Sequence, residues 1–88
     1  MKTVTVELFS EAVNAAVVRL PGRAFPGMVI QGDTLHTLLR DIQELQQIAD
    51  PLSNSDLSAA IDALVVEFRQ RVKTYEDTLR LEGVALPY

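Results

Sequence analysis

The stretch LPGRAFPGMVIQGDTL, residues 20–35, carries the turn signals that decide how this chain folds. Two Pro-Gly pairs five residues apart enclose the tripeptide Arg23-Ala24-Phe25. Proline pre-sets the second position of a type I or type II turn, and glycine supplies the positive φ that a type II turn needs next. We therefore predict two tight turns, at residues 20–23 and 25–28, that reverse the chain between two strands.

The residues on both sides of these turns have strand patterns. In TVTVELF, residues 3–9, polar and apolar side chains alternate, which is typical of a half-buried strand. We predict three antiparallel strands over residues 2–9, 15–20 and 28–31, the first two joined by a hairpin connection at residues 10–14. The side chains expected to face the core are Val4, Val6, Leu8, Ala16, Val18, Leu20, Met28 and Ile30. Such a small sheet needs another layer to cover its apolar face.

Two helical patterns follow the sheet. Apolar side chains recur at steps of three and four over residues 34–49, and Asp33 or Thr34 can cap the start of this helix. Pro51 ends it, and residues 53–55 offer caps for a second helix of about 27 residues that ends near Gly83. The stripe of the second helix consists of Leu57, Ile61, Leu64, Phe68, Val72, Tyr75 and Leu79. We predict a single α+β domain over residues 1–88, with a three-stranded antiparallel β-meander followed by a two-helix antiparallel hairpin (βββαα) and a long second helix.

Length and composition limit the possible functions. The 88 residues have room for one hydrophobic core. The absence of cysteine excludes disulfides, thiol nucleophiles and Cys-based zinc sites, and fits a reducing compartment. The first ten residues alternate instead of forming an apolar run, so they do not resemble a signal peptide, and no apolar run approaches the roughly 20 residues that span a bilayer. We expect a cytoplasmic protein without a membrane segment.

Few side chains offer catalytic chemistry. His36 is the only histidine, and it is expected to be exposed in the first helical turn, off the apolar stripe. The serines lie in turn or cap positions without the strand-turn-helix elbow of a nucleophile. The paired acids lie among helix-surface residues. We therefore predict no enzyme activity, no metal site and no cofactor.

The charge balance bears on possible partners. A net charge of −4 argues against a surface that follows phosphates, so nucleic acid is not expected as a partner. Acidic residues concentrate in the middle of the chain and a small basic cluster follows: Asp41, Glu44, Asp50, Asp56, Asp62 and Glu67, then Arg69, Arg71 and Lys73. Solvated helix faces explain such runs most simply. The alternative is an acidic surface that binds a basic partner.

The two predicted helices differ in length, at roughly 24 Å and roughly 40 Å for a rise of 1.5 Å per residue. The apolar stripe continues through Val72, Tyr75 and Leu79, in the part of the second helix that extends beyond the first. This part must pack on the sheet or on a second chain. A homodimer through this stripe is one hypothesis.

The stretch FPGMVIQGDTL, followed by a leucine-rich helix, resembles the core of HicB-like antitoxins. In that family a small sheet carries a similar Pro-Gly and then Gln-Gly-Asp-Ser or Gln-Gly-Asp-Thr before its helix. The resemblance covers residues 25–42 and implies an inhibitor of a bacterial toxin. It also implies a further strand after the helix, whereas the periodicity of this chain predicts a second helix.

Over nearly its whole length the chain resembles a family of small bacterial proteins of unknown function. The shared pattern is NAAVVRLPGR, then FPG, then IQGD, with a Pro-Tyr ending like that of residues 86–88. This resemblance implies a bacterial origin and one compact domain. Turn geometry already explains the prolines and glycines of the pattern. We predict partner binding through Arg19, Arg23, Phe25, Gln31 and Asp33.

Two classes of function stay open. The first is a non-enzymatic protein-binding module, in particular an antitoxin- or immunity-like inhibitor with a toxin-like protein as partner. It is favoured by small size, acidic charge, absent catalytic groups and the HicB-like stretch. The alternative is a homo-oligomeric scaffold or a small-ligand-binding protein. A toxin-like gene beside this one would favour the first class.

Overall fold

The structure is a computed structural model that describes residues 1–11 and 14–88. In chain order its elements are β1 (Glu7–Leu8), β2 (Val17–Arg19), β3 (Gly27–Met28), α1 (Gly32–Ala49), a short 3-10 helix (Asp50–Leu52) and α2 (Ser55–Leu81). The strands form one antiparallel sheet in the order β1-β2-β3. The predicted α+β class and the βββαα order are confirmed.

The chain divides into two compact units, Met1–Gln31 and Gly32–Tyr88. The first contains the sheet and the second contains the two helices. Neither α1 nor α2 combines the length and the apolar character needed to cross a membrane, in the part of the chain that is described. The single domain over residues 1–88 stays a prediction.

The strands are shorter than the alternation predicts, and the reason is the turn after β2. Glu7 pairs with Arg19, so residues before Glu7 would have to pair with residues after Arg19. Those residues instead form a turn, in which the Arg23 backbone N–H donates to the Leu20 carbonyl oxygen (3.2 Å). Proline at position 21 also lacks the N–H that a ladder needs. The first strand therefore begins at Glu7 and not at residue 2.

The two Pro-Gly pairs have different conformations. Gly22 has φ of 77°, so of the two turn types predicted for residues 20–23 the positive φ fits type II. Gly27 lies in β3 and is not among the described residues with positive φ, so residues 25–28 do not form a type II turn, one of the two types predicted for this tight turn. The predicted hairpin connection at residues 10–14 includes positions 12 and 13, which lie outside the described residues.

The predicted apolar face of the sheet is largely exposed. Ala16 is buried, whereas Val4, Leu8 and Met28 are exposed, against the prediction that they face the core. Strands of two or three residues place too few side chains side by side to bury one another. An apolar strand surface is thus available on this unit.

The second unit is a helical hairpin whose ends follow the predicted caps. The Asn54 side chain accepts a hydrogen bond from the Leu57 backbone N–H (3.0 Å) at the start of α2. Gly83, with φ of 69°, follows the end of α2 in the left-handed conformation typical of helix C-termini. The predicted length of α2 is confirmed at 27 residues, and α1 begins at Gly32, two residues before the predicted start.

The core of the hairpin lies between the two helices. Leu39, Val65 and Val72 are its buried residues, and Leu35, Ile42, Ile61 and Phe68 pack against them. The predicted stripe included Leu64 in place of Val65, but Leu64 is 44% exposed and Val65 is 2% exposed. The run Leu64-Val65-Val66 is apolar throughout, so periodicity alone could not choose the residue that faces α1.

Glycine at position 32 has a specific packing reason. A Cβ atom there would overlap the Tyr75 ring, because the first turn of α1 lies directly against this side chain of α2. At the other end of the hairpin, the Gln46 amide donates to the Asp62 carboxylate (2.8 Å). These two contacts fix the antiparallel register of α1 and α2.

Candidate functional site

An open cleft lies on the sheet unit, within Met1–Gln31. Its volume is about 570 Å³. It lies beside β2, β3 and the turn between them, and it is lined by Val18, Leu20, Gly22, Arg23, Ala24, Phe25, Gly27, Met28 and Val29. The stretch with the two Pro-Gly pairs therefore forms most of the lining.

The backbone of this segment explains how the cleft forms. Gly22 closes the first turn in a conformation that L-residues rarely adopt. β3 then returns alongside β2, with Val17 opposite Met28 and Val18 opposite Gly27. The three residues between the turn and β3 are left outside the sheet, and two of them, Ala24 and Phe25, line one side of the cleft.

The lining is mostly apolar and unusually exposed. Phe25 is 85% exposed, and Leu20, Met28 and Val29 are also exposed. A phenyl ring that protrudes this far into water is disfavoured in the free protein, and aromatic side chains of this kind are typical anchors of protein interfaces. The cleft can therefore accept an apolar side chain.

Arg23 is the one charged residue of the lining. Among the described residues its guanidinium has neither a hydrogen-bond partner nor an ion-pair partner. A free guanidinium presents a planar set of donors that suits a carboxylate. The cleft thus combines an apolar wall with an unpaired positive charge.

Arg19, another of the predicted binding residues, is already occupied within the sheet. Its guanidinium makes a bidentate ion pair with the Glu7 carboxylate, with a shortest distance of 2.7 Å, and lies 5.5 Å from the centre of the Phe9 ring. The hydrogen bonds from Arg19 lower the pKa of Glu7 and in turn raise the pKa of Arg19. In this position Arg19 connects β1 to β2.

The structure brings together only two of the five predicted binding residues. Arg23 and Phe25 line the cleft, whereas Arg19, Gln31 and Asp33 do not. Asp33 lies in the first turn of α1, where its carboxylate accepts a hydrogen bond from the Thr34 backbone N–H (2.9 Å). Gln31 is exposed just before α1.

Sequence reasoning missed most of the apolar lining. Leu20 and Met28 were expected in the core, but both are exposed at the cleft. The signal that could have found them is the pair of prolines, which limits β2 and β3 to a few residues and leaves their flanks uncovered.

A second polar cluster lies on the helical hairpin. The His36 and Tyr88 rings stack with their centres 3.7 Å apart, and the Tyr88 hydroxyl donates to the Glu76 carboxylate (3.0 Å). Partial burial and the hydrogen bond to Glu76 raise the pKa of Tyr88 to about 12. His36 is therefore half-buried under Tyr88 and not freely exposed as predicted. This cluster holds residues 82–88 against the hairpin.

The described side chains do not assemble a metal site. No group of three or more His, Asp or Glu residues comes together in the part of the chain that the structure describes. The acidic residues of α1 and α2 lie mostly on exposed helix surfaces.

Comparison with other proteins gives one match. No curated protein and no solved structure matches the chain. The model of a family of unknown function, DUF6959, matches residues 1–88. The match over the full sequence agrees with the resemblance to a family of small proteins of unknown function, and it shows that the chain belongs to the DUF6959 family.

Proposed function

We propose that this protein is a non-enzymatic protein-binding module whose partner docks in the cleft beside β2 and β3. The proposal rests on one observation: the exposed Phe25 ring and the Arg23 guanidinium, which has no partner among the described residues, line the same apolar cleft. A partner segment with an apolar side chain and an adjacent carboxylate satisfies both groups. The apolar side chain fills the cleft, and the carboxylate binds Arg23.

The energetics of such a contact favour a small interface with a few strong anchors. Most of the Phe25 side chain is exposed and can be buried when a partner binds. Interface hot spots are enriched in aromatic residues and arginine. Arg23 and Phe25 are two residues apart, so one short partner segment can contact both. The glycines beside them allow a partner backbone to approach closely.

The more specific form of the proposal is an antitoxin- or immunity-like inhibitor. It is supported by the net charge of −4, which would steer a basic toxin-like protein towards this chain. It is also supported by the HicB-like stretch at residues 25–42, which begins at Phe25. In this form a segment of the toxin binds in the cleft, so that part of the toxin surface is covered. The acidic helices increase the rate at which the two proteins associate.

A small-ligand-binding role is the second candidate. The cleft volume of about 570 Å³ lies in the range of small-molecule sites, roughly 300–1,000 Å³. Such a ligand would share the chemistry of the proposed partner segment, an apolar group with a carboxylate.

The test is a capture experiment with tagged protein in lysate of the source bacterium. Wild type is compared with the double variant Arg23→Ala, Phe25→Ala. A matched control, Val66→Ala with Arg69→Ala, removes an exposed apolar residue and an exposed arginine from α2. We expect one specific protein to be recovered by wild type and by the control but not by the cleft variant, with equal melting temperatures.

The interaction must then be reproduced with the recovered protein in purified form, by isothermal titration calorimetry. Equal affinity of wild type and the cleft variant would exclude the cleft as the docking site. Recovery of no protein, together with chemical-shift changes at cleft residues on adding small hydrophobic carboxylic acids, would favour the ligand-binding role instead.

A further inference from the structure

The helical hairpin carries apolar side chains that its own core does not use. Leu38, Leu45, Leu57 and Leu64 are all exposed, although Leu38 and Leu64 each lie next to a buried apolar residue, Leu39 and Val65. Leu52, in the short 3-10 helix, is exposed as well. Exposed leucines in this number form a patch, and patches of this kind on a soluble protein mark an interaction surface.

The spacing of these leucines is that of a helix-helix seam. Leu38 and Leu45 are seven residues apart in α1, and Leu57 and Leu64 are seven residues apart in α2, whereas Leu52 lies beyond the end of α1. A heptad repeat keeps side chains on one side of a helix and is the period at which helices pack along each other. The next position in the second series is Arg71, which is ion-paired with Glu67 (3.3 Å), so the apolar seam ends there.

Both seams lie on the same face of the hairpin. Leu38 precedes the buried Leu39 by one residue, and Leu64 likewise precedes the buried Val65. A step of one residue towards the N-terminus rotates the side-chain direction by about 100° around the helix axis, and the sense of this rotation relative to the chain direction is the same in α1 and α2. Because α1 and α2 are antiparallel, this rotation moves both leucines to the same side of the plane of the two helices. The hairpin therefore has one apolar face, and we call it the leucine face.

We propose that the leucine face binds the leucine face of a second copy of this chain, so that two hairpins form a four-helix bundle. The heptad spacing favours a helical occupant, and a second hairpin supplies two helices with the same spacing. Pairing one face with itself gives a closed two-fold dimer, the most frequent symmetric assembly. The proposal does not depend on the cleft or on its partner.

The size of the leucine face agrees with a dimer of modest affinity. α1 has 18 residues and is about 27 Å long, and two neighbouring helices are about 20 Å wide. Each copy then contributes on the order of 500 Å², and the dimer buries about 1,000 Å², near the lower limit for a specific interface. We expect dissociation at micromolar concentrations.

Sedimentation equilibrium of the full chain tests the proposal, over concentrations from about 5 µM to about 500 µM. Wild type is compared with Leu45→Glu and with the control Val66→Glu. These two positions are matched, because Leu45 is 53% exposed and Val66 is 54% exposed, but Val66 lies about 200° around α2 from Leu64. We expect wild type and the control to reach twice the chain mass of 9.7 kDa, and Leu45→Glu to weaken association at least about tenfold.

Several results would overturn the proposal. One is a wild-type protein that stays at the mass of a single chain at every concentration. Another is a dimer that forms equally well with Leu45→Glu, since the interface would then lie elsewhere. Helical circular dichroism checks that the variants fold, and Leu64→Gln repeats the test from α2 if Leu45→Glu loses this signal. A monomeric wild type that is strongly destabilised by Leu45→Glu would mean that another part of the same chain covers the leucine face.

Discussion

Replacing Gly32 with alanine is expected to destabilise the helical hairpin through a single contact, the one with Tyr75. A methyl group at position 32 would overlap the Tyr75 ring, so the ring must leave its place between the helices. Overpacking of this kind typically costs about 1–3 kcal/mol. The better helix propensity of alanine offsets up to about 1 kcal/mol of this. We expect a net loss of about 1–2 kcal/mol and a melting temperature lower by roughly 5–15 °C.

A double-mutant cycle separates this contact from a general effect of the substitution. In a Tyr75→Leu background the ring atoms that meet the new methyl group are absent, so Gly32→Ala should be neutral or should stabilise by up to about 1 kcal/mol. Urea denaturation followed by circular dichroism gives the four free energies of unfolding. The coupling between positions 32 and 75 should reach about 1–3 kcal/mol.

Gly27→Ala is the matched control, because a Cβ atom at Gly27 meets nothing within 4 Å. This change should alter the free energy of unfolding by less than about 0.5 kcal/mol. Equal effects of Gly32→Ala with tyrosine and with leucine at position 75 would refute the reasoning. The glycine would then be needed for the backbone and not for the ring.

Three further predictions concern the hairpin. Val65→Ala should lower the free energy of unfolding by about 1–3 kcal/mol in urea denaturation, whereas Leu64→Ala, already half exposed, should cost less than about 1 kcal/mol in dilute monomer. Asn54→Ala removes the side-chain cap of α2 and should cost about 1 kcal/mol in the same assay. In a pH titration followed by phenolate absorbance at 295 nm, the part of the signal that is lost in Tyr88→Phe should have its midpoint near pH 12. Because the folded pKa of Tyr88 is raised above the unfolded value of about 10, the stabilisation from its contact with Glu76 should be present below pH 10 and lost as the pH rises towards 12.

The order of the elements could be predicted because its signals are local. Alternation before the first Pro-Gly pair, the pairs themselves and the two apolar stripes each act within one or two turns of chain. The ends of α2 were predicted for the same reason, since Asn54 and Gly83 act on the helix terminus beside them. The first and last residues of the strands could not be predicted in this way, because they depend on which residue of the neighbouring strand lies opposite.

Contacts between residues far apart in the chain could not be predicted from the sequence. Gly32 against Tyr75, and His36 against Tyr88, join residues far apart in the chain. No periodicity within one helix reports such a pair. The stripe through Val72 and Tyr75, predicted to pack on the sheet or on a second chain, is largely covered within the hairpin, where Val72 is part of the core. The homodimer stays a proposal, and the leucine face is now its surface.

In the candidate binding site, the sequence likewise could not distinguish two arginines that look equivalent in it. Arg19 and Arg23 both flank the first Pro-Gly pair. The register of β1 with β2 places Glu7 opposite Arg19, and this pairing occupies one guanidinium within the sheet. Arg23 lies beyond the turn, where no strand runs opposite it, so its charge remains available. Because an occupied arginine must break its ion pair before it can bind a partner, substitution of Arg23 should reduce partner binding more than substitution of Arg19, whose loss should mainly weaken the sheet.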